Sequence, residues 1–292
     1  MSTLFKRRAP VVLWIAALNV FLFAVFAGLR LSRPSDGARL QPGTQAYTPD
    51  GVIVTPFEGQ SSVLLAGDVV TAIEGRSVES WAGYLLCWEP FCSPPERPRW
   101  QVGDTVAYTI LRDNRPIEVE VTLTRYPLGA NLRQDWSSIL YALALFAIGV
   151  FVFYRRPDET AARLLLLLGS SMVGATTWSL GLQATDLLRP AVFWLHWITT
   201  GGVYLLIWIA SLHFALVFPN PHRLVQRHRW LLPLIYILPF AAHLATLTIT
   251  VLTASSIFDW MARMGPDQNL TVLLYLLLSL VALITNYRSQ PD

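Results

Sequence analysis

Six apolar stretches long enough to cross a bilayer, with one polar island caught between the first and second, constrain this chain more than any other feature. A helix rises 1.5 Å per residue, so a span needs about 20 apolar residues. The stretches are Val11 to Leu29, Trp136 to Tyr154, Ala161 to Leu182, Ala191 to Phe218, Trp230 to Leu252, and Leu270 to Thr285. A folded module held between two spans stays at one membrane face. A bundle of spans joined to such a module has a receptor's layout before an enzyme's.

Composition agrees. Hydrophobic residues make up 53% and charged residues 14%, against about 25% charged in a typical soluble domain. The net charge of +3 is small, and no basic patch interleaved with aromatics occurs. Nucleic acid is therefore not an expected partner; membrane lipid is.

Lys6, Arg7 and Arg8 precede the first stretch, which is longer than the 7–15 residues of a signal-peptide core and has no clean small-x-small site after it. It reads as an uncleaved anchor. With the N-terminus inside, Arg155-Arg156, Arg223, Arg227, Arg229 and Arg288 also fall in the cytoplasm, as the positive-inside rule requires. Arg30, Arg33, Arg125 and Arg133 flank the island on the other side and are outvoted. The expectation is a multi-pass α-helical protein of the cytoplasmic membrane. It has residues 1–30 as tail and anchor, an extracytoplasmic β-rich domain at 43–126, a five-helix bundle at 136–285 and a cytoplasmic tail at 286–292.

The island reads as β with turns. Gly51-Val52-Ile53-Val54-Thr55 and Val69 to Ile73 are short apolar strands, and Thr105 to Leu111 is β-rich. Ile117 to Leu123 alternates apolar with polar, the pattern of a strand with one solvated face. A short helix is expected over Glu79 to Leu86, where Trp81, Tyr84 and Leu85 recur at helical spacing.

These pieces, taken with Gly67-Asp68, Ile73-Glu74-Gly75-Arg76, Gly103-Asp104 and Leu111-Arg112-Asp113-Asn114, resemble a bacterial PDZ domain. Cys87 to Arg99 is a Pro-rich insertion in that pattern, and the nearest counterpart of the carboxylate-capturing loop is Tyr47-Thr48-Pro49-Asp50. The whole layout, with Tyr154-Arg155-Arg156-Pro157 and His213 to Pro221, resembles the sensor region of ComP-like histidine kinases. That resemblance implies a two-component sensor passing an extracytoplasmic peptide, protein or lipophilic signal to a cytoplasmic kinase, in cis or in trans. It also implies a tail cut short at 286–292, and a homodimer is compatible with it. The alternative is an envelope scaffold whose PDZ-like domain holds another protein's tail.

Candidate ligand-binding residues follow from both halves. Val52, Ile53 and Val54 with Trp81, Tyr84 and Leu85 would form a peptide groove, where strand addition is the plausible mode. His196 and His243 are intramembrane candidates because ionisable groups within spans mark functional sites, and Trp194 because, with Trp178, Trp197 and Trp208, it could line a hydrophobic ligand pocket. Cys87 and Cys92 are the only cysteines. They are expected to pair outside the cytoplasm, since two thiols without nearby His make a poor zinc site. No metal, cofactor or catalytic residue is expected. No His-Glu-x-x-His run occurs, and no Ser stands in a protease-like pairing with His.

Overall fold

The computed structural model describes residues 8–59, 62–86, 96–228, 230–264 and 266–288; Cys87 and Cys92 lie outside them. Helix α1 (Arg8–Leu31) enters a β-domain directly. β1 (Pro34–Ser35) pairs with β9 (Thr124–Arg125), so both ends of the domain are tied together beside the membrane. An antiparallel sheet follows with the order β2 (Ala38–Leu40), β4 (Gly51–Pro56), β5 (Val69–Ile73), β7 (Thr105–Arg112), β8 (Arg115–Thr122). β3 (Tyr47–Thr48) also pairs with β4, and β6 (Arg76–Ser77) with β5.

Local chemistry explains these pieces. Asp113 and Asn114, between β7 and β8, take φ of 53° and 59°. Two left-handed residues give the turn whose twist matches a tight hairpin, and β7 and β8 pair in register from Thr105↔Thr122 to Arg112↔Arg115. Helix α2 (Val78–Gly83) starts where the Ser77 hydroxyl accepts from the Ser80 amide at 3.2 Å, satisfying an otherwise orphaned donor. The Asp68 of the Gly-Asp pair accepts from Arg112 at 2.9 and 2.7 Å. Burial pushes the Asp68 carboxyl up, but Arg112 and the Leu65 amide outweigh it and hold it low. That bidentate pair fastens the β4–β5 loop to β7.

The sheet begins at Pro34, earlier than the expected domain start at residue 43. A larger difference concerns the return to the membrane. Pro127 and Gly129 predict that the link from Tyr126 to Arg133 is neither a continued strand nor a continuous helix. In the structure α3 (Leu128–Arg155) begins directly after Pro127, and non-helical angles at Asp135 kink it before the apolar run. Pro127 stands just before the first turn, where its missing N–H costs nothing.

After α3 come α4 (Thr160–Ala175) and the single turn α5 (Thr177–Leu180). Helix α6 (Pro190–Trp197) continues through a π-helical turn, Ile198–Val203, into α7 (Tyr204–Val217). The short α8 (Arg223–Arg227) leads to α9 (Leu231–Thr253), α10 (Ile257–Arg263) and α11 (Pro266–Arg288). Five stretches among the described residues are long and apolar enough to cross a membrane: 10–31, 128–155, 190–217, 231–253 and 257–288. This is a membrane protein carrying a β-domain. Helix α4, where a span was expected, has only 16 residues, about 24 Å of rise.

Helix α4 is the bundle's centre, packed against α1, α3 and α7. A Cβ on Gly149 would lie 2.7 Å from the Leu165 carbonyl oxygen, and one on Gly169 2.6 Å from the Phe146 Cα. Small residues facing each other this way let membrane helices approach closely. Asn19 of α1 donates to the Ser171 hydroxyl at 3.0 Å, a buried polar tie of the kind that joins helices in lipid. Outward, Trp14, Phe21, Tyr141, Phe151, Leu252 and Leu270 are exposed, as lipid-facing side chains are.

The β-domain is not a tethered module. One buried cluster contains Val52, Val54, Val70, Ile73, Val106 and Ile110 from the sheet together with Leu182, Leu187, Val192, Phe193, Phe258 and Trp260 from the bundle. The core runs through the boundary without a break.

Candidate functional site

Two features occupy that boundary: a polar knot and a cavity beside it. The knot begins at Arg30, the last basic residue of α1, whose Nη2 donates to the Gly181 carbonyl at 3.0 Å and pairs with Asp186. Asp186 also accepts from the Gln183 amide at 2.7 Å, and the Gln183 side chain bonds the Ser35 hydroxyl. Arg39 of β2 donates to Asp135 at 2.8 Å and to the Ser179 carbonyl at 3.1 Å. Asp135 is the residue at which α3 departs from helical angles. The Tyr126 hydroxyl donates to the Leu180 carbonyl at 2.8 Å. Arg30, Ser35, Arg39 and Tyr126 thus join the β-domain and its flanks to the 179–186 turn of the bundle, and Arg39 ties β2 to α3 as well.

Asp36 sits at the top of the knot. One carboxylate oxygen accepts from the Ala38 amide at 3.1 Å and the other from the Tyr108 hydroxyl at 3.0 Å. Burial raises its pKa to about 6 against the opposing pull of those two donors; nearby Asp186 adds to the rise and Arg30 opposes it. The Tyr108 phenol is pushed well above its ordinary value, chiefly by burial and then by Asp36.

The cavity, of about 280 Å³, lies between the β-domain's entry segment (Arg39 to Tyr47), α6 with its π-turn, α10 and the start of α11. Tyr47, Trp178, Phe193, Trp197 and Trp260 give it aromatic walls, Met261 and Met264 line another side, and Thr200, Gly201, Gln268 and Asn269 supply polar or open positions. The π-turn lets the Thr199 and Thr200 hydroxyls both donate to the His196 carbonyl at 2.8 Å. Single π-turns inside α-helices are frequent at functional sites.

His196 lines the cavity, and its Nδ1 is buried with no hydrogen-bond partner. Phe26 lies against the ring at a centroid distance of 5.2 Å. His243 stands one layer back, its ring stacked on Trp197 at 5.1 Å. Trp194 is a brace: its rings meet Trp197 at 5.5 Å and Trp260 at 6.0 Å, and its Nε1 donates to the Leu85 carbonyl at 2.9 Å. Leu85, Trp194, His196 and His243 therefore converge on one boundary, although two halves of the chain supply them.

The remaining candidates lie elsewhere. Val52 and Val54 are fully buried in the sheet core. Ile53 pairs with Val69 of β5, and the other edge of β4 is taken by β2 and β3. No edge of β4 is free for an added peptide strand. Tyr47-Thr48 folds back as β3 against Val52 and Gly51. Trp81 is buried, its Nε1 3.4 Å from the Ile73 carbonyl oxygen, and Tyr84 starts a 3-10 turn after α2. The loop carrying α10 packs against α2 and β3, the place a groove ligand would take. Sequence reasoning missed Trp260, Met261, Met264 and Gln268. Trp260 and Met261 lie in the short helix α10 and Gln268 in the first turn of α11, outside the expected spans, and only the apolar run Ile257-Phe258 with Trp260-Met261 hinted at them.

No protein-family profile matches the sequence, and neither a curated protein nor a solved structure is significantly similar to it.

Proposed function

We propose that the chain is the sensor module of a membrane receptor, with ligand occupancy at the boundary cavity biasing the bundle and hence a cytoplasmic output of histidine-kinase type. In this reading α4 counts as a sixth span, both termini are cytoplasmic, and the β-domain is an extracytoplasmic PDZ-like fold whose strand-adding groove is filled by the chain itself. The observation that carries the proposal is the cavity's position. Its walls come from both halves, so a molecule bound there contacts the β2 entry, α6, α10 and α11 at once. A ligand shifts a conformational equilibrium only through differential affinity for its states, and a boundary site is where such a difference arises.

The scaffold reading has one feature in its favour. Among the described residues the outer edge of β8 has no partner strand. Pro116, Glu118 and Glu120 lie along it, and prolines and charges of this kind protect edges from pairing. The sensor reading is therefore the stronger.

Fusing residues 1–292 to a histidine-kinase core tests it. Arg39→Met, which breaks the knot without entering the kinase, should change basal autophosphorylation severalfold. Equal output from both fusions, at equal membrane levels, would remove the sensor reading.

A further inference from the structure

We infer that the boundary cavity takes a neutral, planar aromatic molecule of about bicyclic size with one hydrogen-bonding edge, indole-like in chemistry. The inference deepens the sensor proposal and rests on its choice of this cavity as the ligand site. Size sets the first limit. About 280 Å³ lies just below the roughly 300–1,000 Å³ typical of small-molecule pockets, too little for a folded peptide segment.

The walls set the shape. Tyr47, Trp178, Phe193, Trp197 and Trp260 line it, and walls so rich in aromatic rings favour another flat ring in stacked or edge contact. Met261 and Met264 add adaptable thioethers, which make favourable contacts with aromatic edges.

Charge sets the third limit. Among the described residues Arg39 is the one ionised side chain lining the cavity, and Asp135 already holds it at 2.8 Å. A carboxylate or ammonium ligand would find no counter-ion and would lose its hydration. The polar edge is set by His196, which lines the cavity and whose buried Nδ1 has no partner among the described residues. A buried polar atom left unsatisfied is costly, and a ligand N–H or O–H that the imidazole turns to meet would satisfy it. Gly201 is a close-packed part of the lining: a Cβ there would lie 3.1 Å from Gln268 Nε2 and 3.8 Å from His243 Nε2, so a larger side chain would have to displace Gln268 or enter the cavity.

Equilibrium dialysis of the whole chain in nanodiscs, with empty nanodiscs as the partition baseline, tests this with three radiolabelled probes. Indole should bind saturably, naphthalene about tenfold more weakly for want of the hydrogen bond, and indole-3-carboxylate not saturably. Gly201→Leu should abolish saturable indole binding, and His196→Phe should bring indole and naphthalene to equal affinity. If Gly201→Leu does not assemble, Met264→Trp fills the cavity from the other side with the same expected loss. Indole uptake equal to the empty-nanodisc baseline, indole affinity unchanged by the filling variant, or carboxylate binding as tight as indole would each overturn the inference. Saturable indole binding with no effect on the kinase fusion leaves the inference standing and contradicts the sensor reading. A fusion that responds to Arg39→Met while no probe binds saturably overturns only the ligand class.

Discussion

The indole Nε1 of Trp194 donates to the main-chain carbonyl of Leu85 at 2.9 Å, so a side chain of the membrane bundle holds the 3-10 turn that follows the β-domain's helix. The same tryptophan packs against Phe193, Trp197 and Trp260. One residue thus fixes α2, α6 and α10 together and forms the backing of the cavity.

Trp194→Phe keeps most of the ring packing and removes that bond. Net loss of a hydrogen bond is worth about 1 kcal/mol. Hydrogen exchange should quicken about fivefold in the 78–86 amides and stay unchanged in α3 and α4. Uniform quickening throughout the bundle would show that Trp194 acts on packing at large rather than on this contact.

Arg30 and Asp186 form an ion pair with side chains each only 2% exposed. Removing one partner of a buried pair strands the other and costs about 3–5 kcal/mol, whereas replacing both with apolar residues is often nearly neutral. Arg30→Met and Asp186→Leu should each lower the amount of folded protein recovered in detergent, and the double variant should recover most of it. Additive losses in the double variant would refute the coupling.

Asp36 gives stability an unusual pH dependence. Its folded-state pKa of about 6 is raised above the ordinary 3.8, so between those values the folded state holds the extra proton. Stability from this group falls as pH rises from about 4 to about 6 and is flat above, by at most about 3 kcal/mol. Thermal unfolding in detergent should show a higher midpoint at pH 4.5 than at pH 6.5, and Asp36→Asn should flatten that difference. Tyr108, Arg30 and Asp186 face the same carboxyl, and a slope unchanged in Asp36→Asn would show that this carboxyl is not its source.

Gly181 has φ of +66°, and a Cβ there would lie 3.1 Å from the Arg39 Cβ. Left-handed backbone at a non-glycine residue costs on the order of 1–3 kcal/mol, and the contact pushes Arg39 away from Asp135. Gly181→Ala should therefore destabilise the protein by at least 1 kcal/mol or so, with Arg39→Met adding less in that background than alone. Wild-type stability in Gly181→Ala would mean that the turn can relax.

Much of this architecture was readable from the residues, because long apolar runs and period-two strands announce themselves. β4, β5, β7 and β8 fall where alternation and turn residues place them. β1 and β2, two and three residues long, carry no periodicity to read. The start of α3 was hidden because Pro127 and Gly129 look like helix breakers, yet a proline before the first turn is harmless. The cavity was hidden for a different reason. Residues as far apart as Tyr47, Trp178, Trp197 and Gln268 line it, and only tertiary packing brings them to one place. His196 was found from its intramembrane position alone, while Trp260 and Met261 sit in α10, a helix of seven residues that is too short to show a period.

The central claim is that the β-domain is docked on the bundle as one packed body rather than hung from it. Electron–electron distance measurement between spin labels at Glu118 on β8 and Asp158 in the α3–α4 loop, both exposed, tests it in the whole chain in nanodiscs, with Cys87 and Cys92 replaced by Ser. A single narrow distance, broadened by Trp194→Phe combined with Arg39→Met, is the predicted result. A broad distribution already present without those substitutions would contradict the docking and every inference drawn from the boundary.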